Sequence, residues 1–231
     1  MRWPRFCFLL AGLAGGPLFA ADGRPDYSAA EKLLFMDRQL GSVKPPATLR
    51  YRFQKSGTLE PGFEDAAVID LSAGTGGRCC ATKTTFLTGT RGVKLPDLPD
   101  ADGNPVILHF LEREVREMQR LTQGSQAHFR KRIRMAIFEA ARVQDVRMRF
   151  KGRDIDGQEV RITPFTDDPN RPRYERLATK EYRFTLSSAV PGGVYDIRSL
   201  IPGPESGKPP LLVEVLTLEG AESSPSRNET K

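Results

Sequence analysis

Between residues 49 and 54 the chain alternates strictly, with Leu49, Tyr51 and Phe53 set against Arg50, Arg52 and Gln54. A period of two sends successive side chains to opposite faces of a strand, so this segment must fold with one face covered and one wet. The pattern returns where Val146, Met148 and Phe150 alternate with Arg147, Arg149 and Lys151. A turn at Asp156-Gly157 and then Val160 and Ile162 complete a hairpin. Further strands are expected near Phe63 to Leu71, Arg78 to Thr88, Tyr182 to Leu186, Val194 to Leu200 and Leu211 to Leu218. Gly74-Thr-Gly-Gly77, Pro191-Gly-Gly193 and the loop from Pro202 to Pro210 separate them. Alternating strands of this kind pair antiparallel over a single covered face.

What covers that face is helical. Ser28 and Glu31 have the spacing of a capping box, and Leu33, Met36 and Leu40 repeat at helical intervals up to Gly41. The aspartate-rich segment from Leu95 to Gly103 is a loop by composition, and it delivers Asn104 and Pro105 as N-cap and first helical residue. The long helix that follows carries an apolar stripe of Leu108, Leu111, Val115 and Met118. Glu112 with Arg116 and Arg113 with Glu117 are four-apart pairs expected on its wet side. After Gly124 and Ser125, Phe129, Ile133, Ala136, Ile137 and Ala140 mark another helix. The order is helix, three strands, two helices and about five strands. That is α+β, a curved antiparallel sheet or incomplete β-barrel covered by about three helices.

The first 21 residues read as a secretory signal peptide: Arg2 and Arg5, an apolar run from Phe6 to Leu13, and a small-residue end at Ala20 and Ala21. The run is too short and glycine-rich for a bilayer span of about 20 residues. Residues 22–219 are then one domain in an exported, periplasmic protein, and residues 220–231, rich in Glu, Ser and Asn, form a disordered tail. Of 35 basic and 29 acidic residues, residues 1–21 hold two basic ones, which leaves 33 against 29 and a net charge of +4. Only Cys79 and Cys80 remain after processing, too few for a disulfide framework. On a regular strand these adjacent residues point to opposite faces. The alternatives are a vicinal disulfide or a redox pair.

Catalytic sets are thin. His109 and His128 fall in different helices with no carboxylate at zinc-ligand spacing, and no nucleophile elbow is present. Asp97, Asp100 and Asp102 precede Gly103, but an EF-hand would need an acid at Leu98 and a glutamate at His109. Gly203 to Lys208 lacks the glycine spacing of a phosphate loop, and Pro209 stands where Ser or Thr is required. No catalytic residue, metal site or cofactor is assigned, and the chain reads as non-enzymatic. Arg130, Lys131, Arg132 and Arg134 cluster at the start of one helix, with Arg142, Arg147, Arg149, Lys151 and Arg153 following. They are either a solvated outer face or a patch for anionic headgroups; export argues against nucleic acid.

The signal peptide, the helix ending at Leu40, the strand Tyr51-Arg52-Phe53-Gln54 and a helical block between two groups of strands together resemble the periplasmic lipoprotein-carrier (LolA-like) family. That resemblance implies an incomplete barrel lidded by helices and an envelope binding protein. The leading expectation is an amphipathic or lipid-like ligand held between sheet and helices. Tyr51, Phe53, Leu111, Val115, Phe129 and Ile133 would line its apolar part. Arg130, Lys131, Arg134, Arg147 and Arg149 would form a basic rim, with peripheral membrane contact. A partner-binding or assembly protein of the envelope with a packed core is the alternative, and a thiol enzyme or redox protein built on Cys79 and Cys80 is the third. The sequence does not fix an oligomeric state.

Overall fold

A computed structural model describes residues 27–76, 79–205 and 207–222. The signal-peptide segment and the end of the tail lie outside the described residues. One antiparallel sheet dominates. Its strands are β1 (Ala47–Ser56), β2 (Phe63–Ala73), β3 (Cys80–Phe86), β4 (Leu98–Ala101), β5 (Arg142–Phe150), β6 (Arg153–Ile162), β7 (Glu181–Leu186), β8 (Val194–Ile201), β9 (Leu212–Leu218) and β10 (Ala221–Glu222). They run in the order β10-β5-β6-β7-β8-β9-β1-β2-β3-β4 and do not close into a barrel. The architecture is α+β.

The helices are short apart from one. α1 (Ala29–Glu31) widens into a π-helical turn, Lys32–Met36. Its capping box is present, with Ser28 N donating to Glu31 at 2.9 Å and Glu31 N donating to Ser28 Oγ at 3.1 Å. α2 (Val106–Thr122) and α3 (Gln126–Met135) form the helical block, and α3 continues as a second π-helical turn, Ala136–Ala140. α4 (Arg171–Tyr174) leads into the 3₁₀ segment Glu175–Thr179. Asn104 caps α2 as its sequence position implies: its Oδ1 accepts from Val106 N at 3.1 Å.

The covered face is a row-by-row apolar floor. Val143, Val160, Phe184, Ile197, Leu216 and Phe53 stand opposite one another across β5, β6, β7, β8, β9 and β1. Phe53, Val160, Phe184, Ile197 and Leu216 are fully buried. Burial at this density supplies the driving force for folding, about 25 cal/mol per Å² of apolar surface removed from water.

Four local expectations change. The hairpin between β5 and β6 turns at Lys151-Gly152, with φ of +49° and +76°, and Asp156-Gly157 lies inside β6. A two-residue turn there lets all nine residues of β5 pair with β6, and cross-strand pairing outweighs the local Asp-Gly signal. Gly157 instead serves a close approach: a Cβ on it would lie 2.3 Å from Leu186 O. The segment before α2 contains β4, paired with β3 through Cys80 and Ala101. Ala221 and Glu222, expected in the tail, pair with Phe150 and Arg149. On α2, Leu108 is exposed while Arg113 is buried, so the helix inserts on a different arc from the one its leucines suggest.

Candidate functional site

The six residues expected to line an apolar pocket are all buried in the core: Tyr51, Phe53, Leu111, Val115, Phe129 and Ile133. Each packs against sheet or helix. Phe129 meets Phe165 and Tyr174 edge-on or tilted, at centroid distances of 5.7 and 5.5 Å. None of the six lines the large groove over β6, β7 and β8 or the small one beside Lys55.

Where the core meets α2 it is ionic. Lys55, Glu214, Ser199 and Tyr182 form a row directly across β1, β9, β8 and β7, on the covered face. Above it, Arg113 Nη1 donates to Glu214 at 2.9 Å and to Glu114 at 3.1 Å, and its guanidinium stacks 4.8 Å from the Phe53 ring centroid. Ser199 donates to Glu214 at 3.2 Å, and Lys180 is paired with Glu114. Lys55 Nζ lies 2.7 Å from Glu60, 3.5 Å from Glu117 and 3.7 Å from Glu214. Arg120 closes the outer end on Glu60 and Glu117. Four basic side chains thus face four carboxyl groups.

Glu114, Glu214 and Lys180 have no exposed surface. Desolvation pushes Glu114 up to about 8 against the pull of Lys180. Burial would raise Glu214 too, but the hydrogen bond with Glu114 and the charges of Lys180 and Arg113 hold it well below the usual carboxylate range. Glu60 is lowered to about 2, first by its hydrogen bond from Arg120. The network surfaces at a small groove of about 450 Å³ that Lys55, Phe63 and Val215 help to line. Its inner members touch protein on every side, and an ion set of this kind fixes how α2 seats on the sheet.

The uncovered face is built differently. Arg161, Arg183 and Arg198 stand directly opposite one another on β6, β7 and β8. Like charges in cross-strand register repel. Each is neutralised by an acid two residues earlier on its own strand: Glu159 at 3.1 Å, Glu181 in close contact, and Asp196 at 2.8 Å. The acid-x-Arg unit therefore recurs on three neighbouring strands. This ladder floors an open groove of about 1630 Å³. Leu33, Asp37, Arg38, Gln39 and Ser42 stand on one side of it, and residues 144–148 of β5 with Asp156 to Glu159 of β6 on another. Five arginines and five carboxylates line it: Arg38, Arg147, Arg161, Arg183 and Arg198 with Asp37, Asp145, Asp156, Glu159 and Asp196.

Of the expected basic rim, only Arg147 reaches this groove, where it pairs with Asp156 at 3.1 Å. Arg149 is 3.5 Å from Asp154. Arg130 is drawn to Glu112 on α2 at 2.7 Å, while Lys131 and Arg134 stand on the α3 surface. The three parts of the rim are not brought together. Sequence reasoning missed Arg161, Arg183 and Arg198, although the repeated acid-x-Arg spacing is visible in the chain.

The remaining chemistry-bearing residues do not converge. His128 Nε2 lies 2.6 Å from the buried carboxylate of Asp168, whose other oxygen accepts from Asn170 N at 2.8 Å. His109 is buried, its Nδ1 3.0 Å from Pro105 O and its ring stacked on Phe86, and desolvation lowers its pKa. Cys79 and Cys80 are joined as a vicinal disulfide, Cys79 preceding β3 and Cys80 fully buried at its start. The expectation of two independent strand residues fails because Cys79 is outside the regular strand. Asp102 pairs with Arg38 at 3.3 Å. Among the described residues no three His, Cys, Asp or Glu side chains are grouped to hold a metal ion. No helix among them is long and apolar enough to cross a membrane.

The chain matches no protein-family model, and no curated protein is significantly similar to it.

Proposed function

We propose that this chain is a non-enzymatic, exported binding protein whose partner is another protein of the envelope, held in the open groove over β6, β7 and β8. The observation that carries the reading is the acid-x-Arg ladder of Arg161, Arg183 and Arg198 on the groove floor. Each guanidinium gives part of its planar fork to its own acid, and the donors left over suit carboxylates and carbonyls. Equal numbers of arginines and carboxylates around the groove favour a partner that carries both signs, as a protein surface does. A polyanion gains little from such a lining. Export rests on the reading of residues 1–21.

Carriage of an amphipathic ligand between sheet and helices is less well supported, because its six lining residues are packed into the core. A carried ligand would have to part α2 from its ionic seat on the sheet. A redox role for Cys79 and Cys80 has one half-buried and one buried sulfur to work with, and exposure is what thiol exchange needs.

A photo-crosslinking residue at Thr185, on the groove floor, tests the proposal in intact cells. The expected result is one defined protein adduct, lost when Arg198→Glu is introduced. An adduct that persists in Arg198→Glu, or none at all, overturns it. A stoichiometric lipid found by extraction and mass spectrometry would favour carriage instead.

A further inference from the structure

The arginine ladder has a spacing as well as a charge. The side chains of Arg161, Arg183 and Arg198 are 35%, 24% and 33% exposed, so all three can be reached from the groove. Arg183 and Arg198 each give Nε to their own acid, and their Nη groups make no hydrogen bond among the described residues. Neighbouring strands lie about 4.8 Å apart, so three arginines in register on β6, β7 and β8 span about 10 Å. A second row runs beside the first. Glu159 and Asp196 flank Thr185 in register, about 6.7 Å along the strands from the arginines. Asp196 is 3% exposed, its Oδ2 accepts from Arg198 at 2.8 Å, and its Oδ1 has no hydrogen-bond partner among the described residues. A buried carboxylate oxygen without a donor calls for one from outside.

Resting on the reading of the groove as a protein-binding site, we infer that the partner enters it with an α-helix lying across β6, β7 and β8. Acidic residues at i, i+4 and i+7 of that helix stand over the three arginines, and a lysine beside one end of the stripe reaches Asp196. Residues i, i+4 and i+7 share one helix face, step by about 5.4 Å per turn and span about 10.5 Å, which matches the ladder rung for rung. A bound strand does not fit. Its like-facing residues step by about 6.7 Å, so a third carboxylate overshoots the third arginine by roughly 3–4 Å. A polyproline helix returns to one face only every 9.3 Å or about that, and so serves just two of the three. The residue next to the acidic stripe lies about 100° further round the α-helix, which sets its side chain over the second row. A helix of this kind carries both signs of charge, as the mixed lining of the groove does.

Fluorescence anisotropy at low salt, with the processed full chain titrated into labelled alanine-based helical peptides, tests it. One peptide carries glutamates at i, i+4 and i+7 and a lysine at i+8; a control of the same composition carries its glutamates at i, i+2 and i+5. The first should bind about tenfold more tightly, since charge-assisted bonds to all three forks form only when the acids are in step with them. Arg183→Gln, at the middle of the ladder, should abolish that preference. Arg183 lies on the uncovered face, so circular dichroism should show the variant folded. Norleucine in place of the peptide's lysine should weaken binding to the natural chain by about threefold and leave binding to Asp196→Asn unchanged. Equal binding of the two peptides overturns the inference. So does a preference that survives Arg183→Gln, or a lysine effect that persists in Asp196→Asn. The cellular crosslink separates the two readings. A defined adduct at Thr185 together with equal binding of the peptides leaves a protein-binding groove and rejects the helix, whereas no adduct removes the groove reading and this occupant with it.

Discussion

Lys180 and Glu114 are in direct contact with no solvent exposure on either side chain, although one precedes β7 and the other sits midway along α2. Removing Lys180 leaves the Glu114 carboxyl, which burial raises to about 8, without its partner, and a buried polar group left unsatisfied costs about 1–3 kcal/mol. Lys180→Met should lower the unfolding free energy by that amount in a denaturant titration. The double variant Lys180→Met, Glu114→Leu should recover a substantial part of the loss, since it leaves no unsatisfied polar group on that pair.

The same carboxyl sets a pH dependence. Glu114 is raised to about 8 in the folded chain from an ordinary 4.5, so its contribution is fully present below 4.5 and is lost as pH rises through about 8. Glu114→Gln cannot lose it. Across that window the stability of Glu114→Gln relative to the natural chain should therefore climb with pH, at no more than about 1.4 kcal/mol per pH unit. Glu60, lowered to about 2, works the other way: its contribution is present above 4.5 and disappears as pH falls through about 2. Urea titrations at pH steps check both signs, and a flat difference for Glu114→Gln would refute the first.

Gly157 should not tolerate a side chain. A Cβ there would sit 2.3 Å from Leu186 O and 2.5 Å from Met148 Cε, and the carbonyl belongs to the neighbouring strand. Gly157→Ala should cost about 1–3 kcal/mol by overpacking. Gly152→Ala, whose Cβ would meet nothing within 4 Å, should lose less, from its positive φ alone. Thermal melts of the two compare clash with backbone preference.

Asn104 joins three parts of the fold. Its amide donates to Tyr51 Oη at 2.9 Å and to Gly192 O at 2.8 Å, and its Oδ1 caps α2. Asn104→Ala should destabilise by about 2–4 kcal/mol, since a buried acceptor left unsatisfied costs about 1–3 kcal/mol and a lost cap about 1 more. Hydrogen exchange should also speed up in the first turn of α2 and in the 187–193 turn.

The alternation through Tyr51 and Phe53 identified β1, and Asn104-Pro105 identified the start of α2, because pattern and cap are local properties. The ionic seat was partly legible as well. Lys55 continues the phase of Tyr51 and Phe53, Lys180 that of Tyr182 and Phe184, and Glu214 that of Leu212 and Leu216. Charge at a core phase is the signal. It was masked in β9 because Val213 and Val215 make both faces apolar, and in α2 because Leu108 drew the stripe toward solvent. The arginine ladder needed the strand order, since Arg161, Arg183 and Arg198 become neighbours only through register. The turn at Lys151 was illegible locally, for it depends on what β5 must pair with.

β9 lies between β8 and β1, so the last long strand among the described residues is the one that joins the two groups of strands. During synthesis β1, β2 and β3 can zip together early, and β5, β6, β7 and β8 can do the same later, but neither group can reach the other until residues 212–218 emerge. Until then Phe53 and Ile197 each wait on an open edge, and Lys55 and Ser199 lack the carboxylate of Glu214. Pairing of β9 with both β8 and β1, rather than collapse of either group, is what makes one sheet of the two.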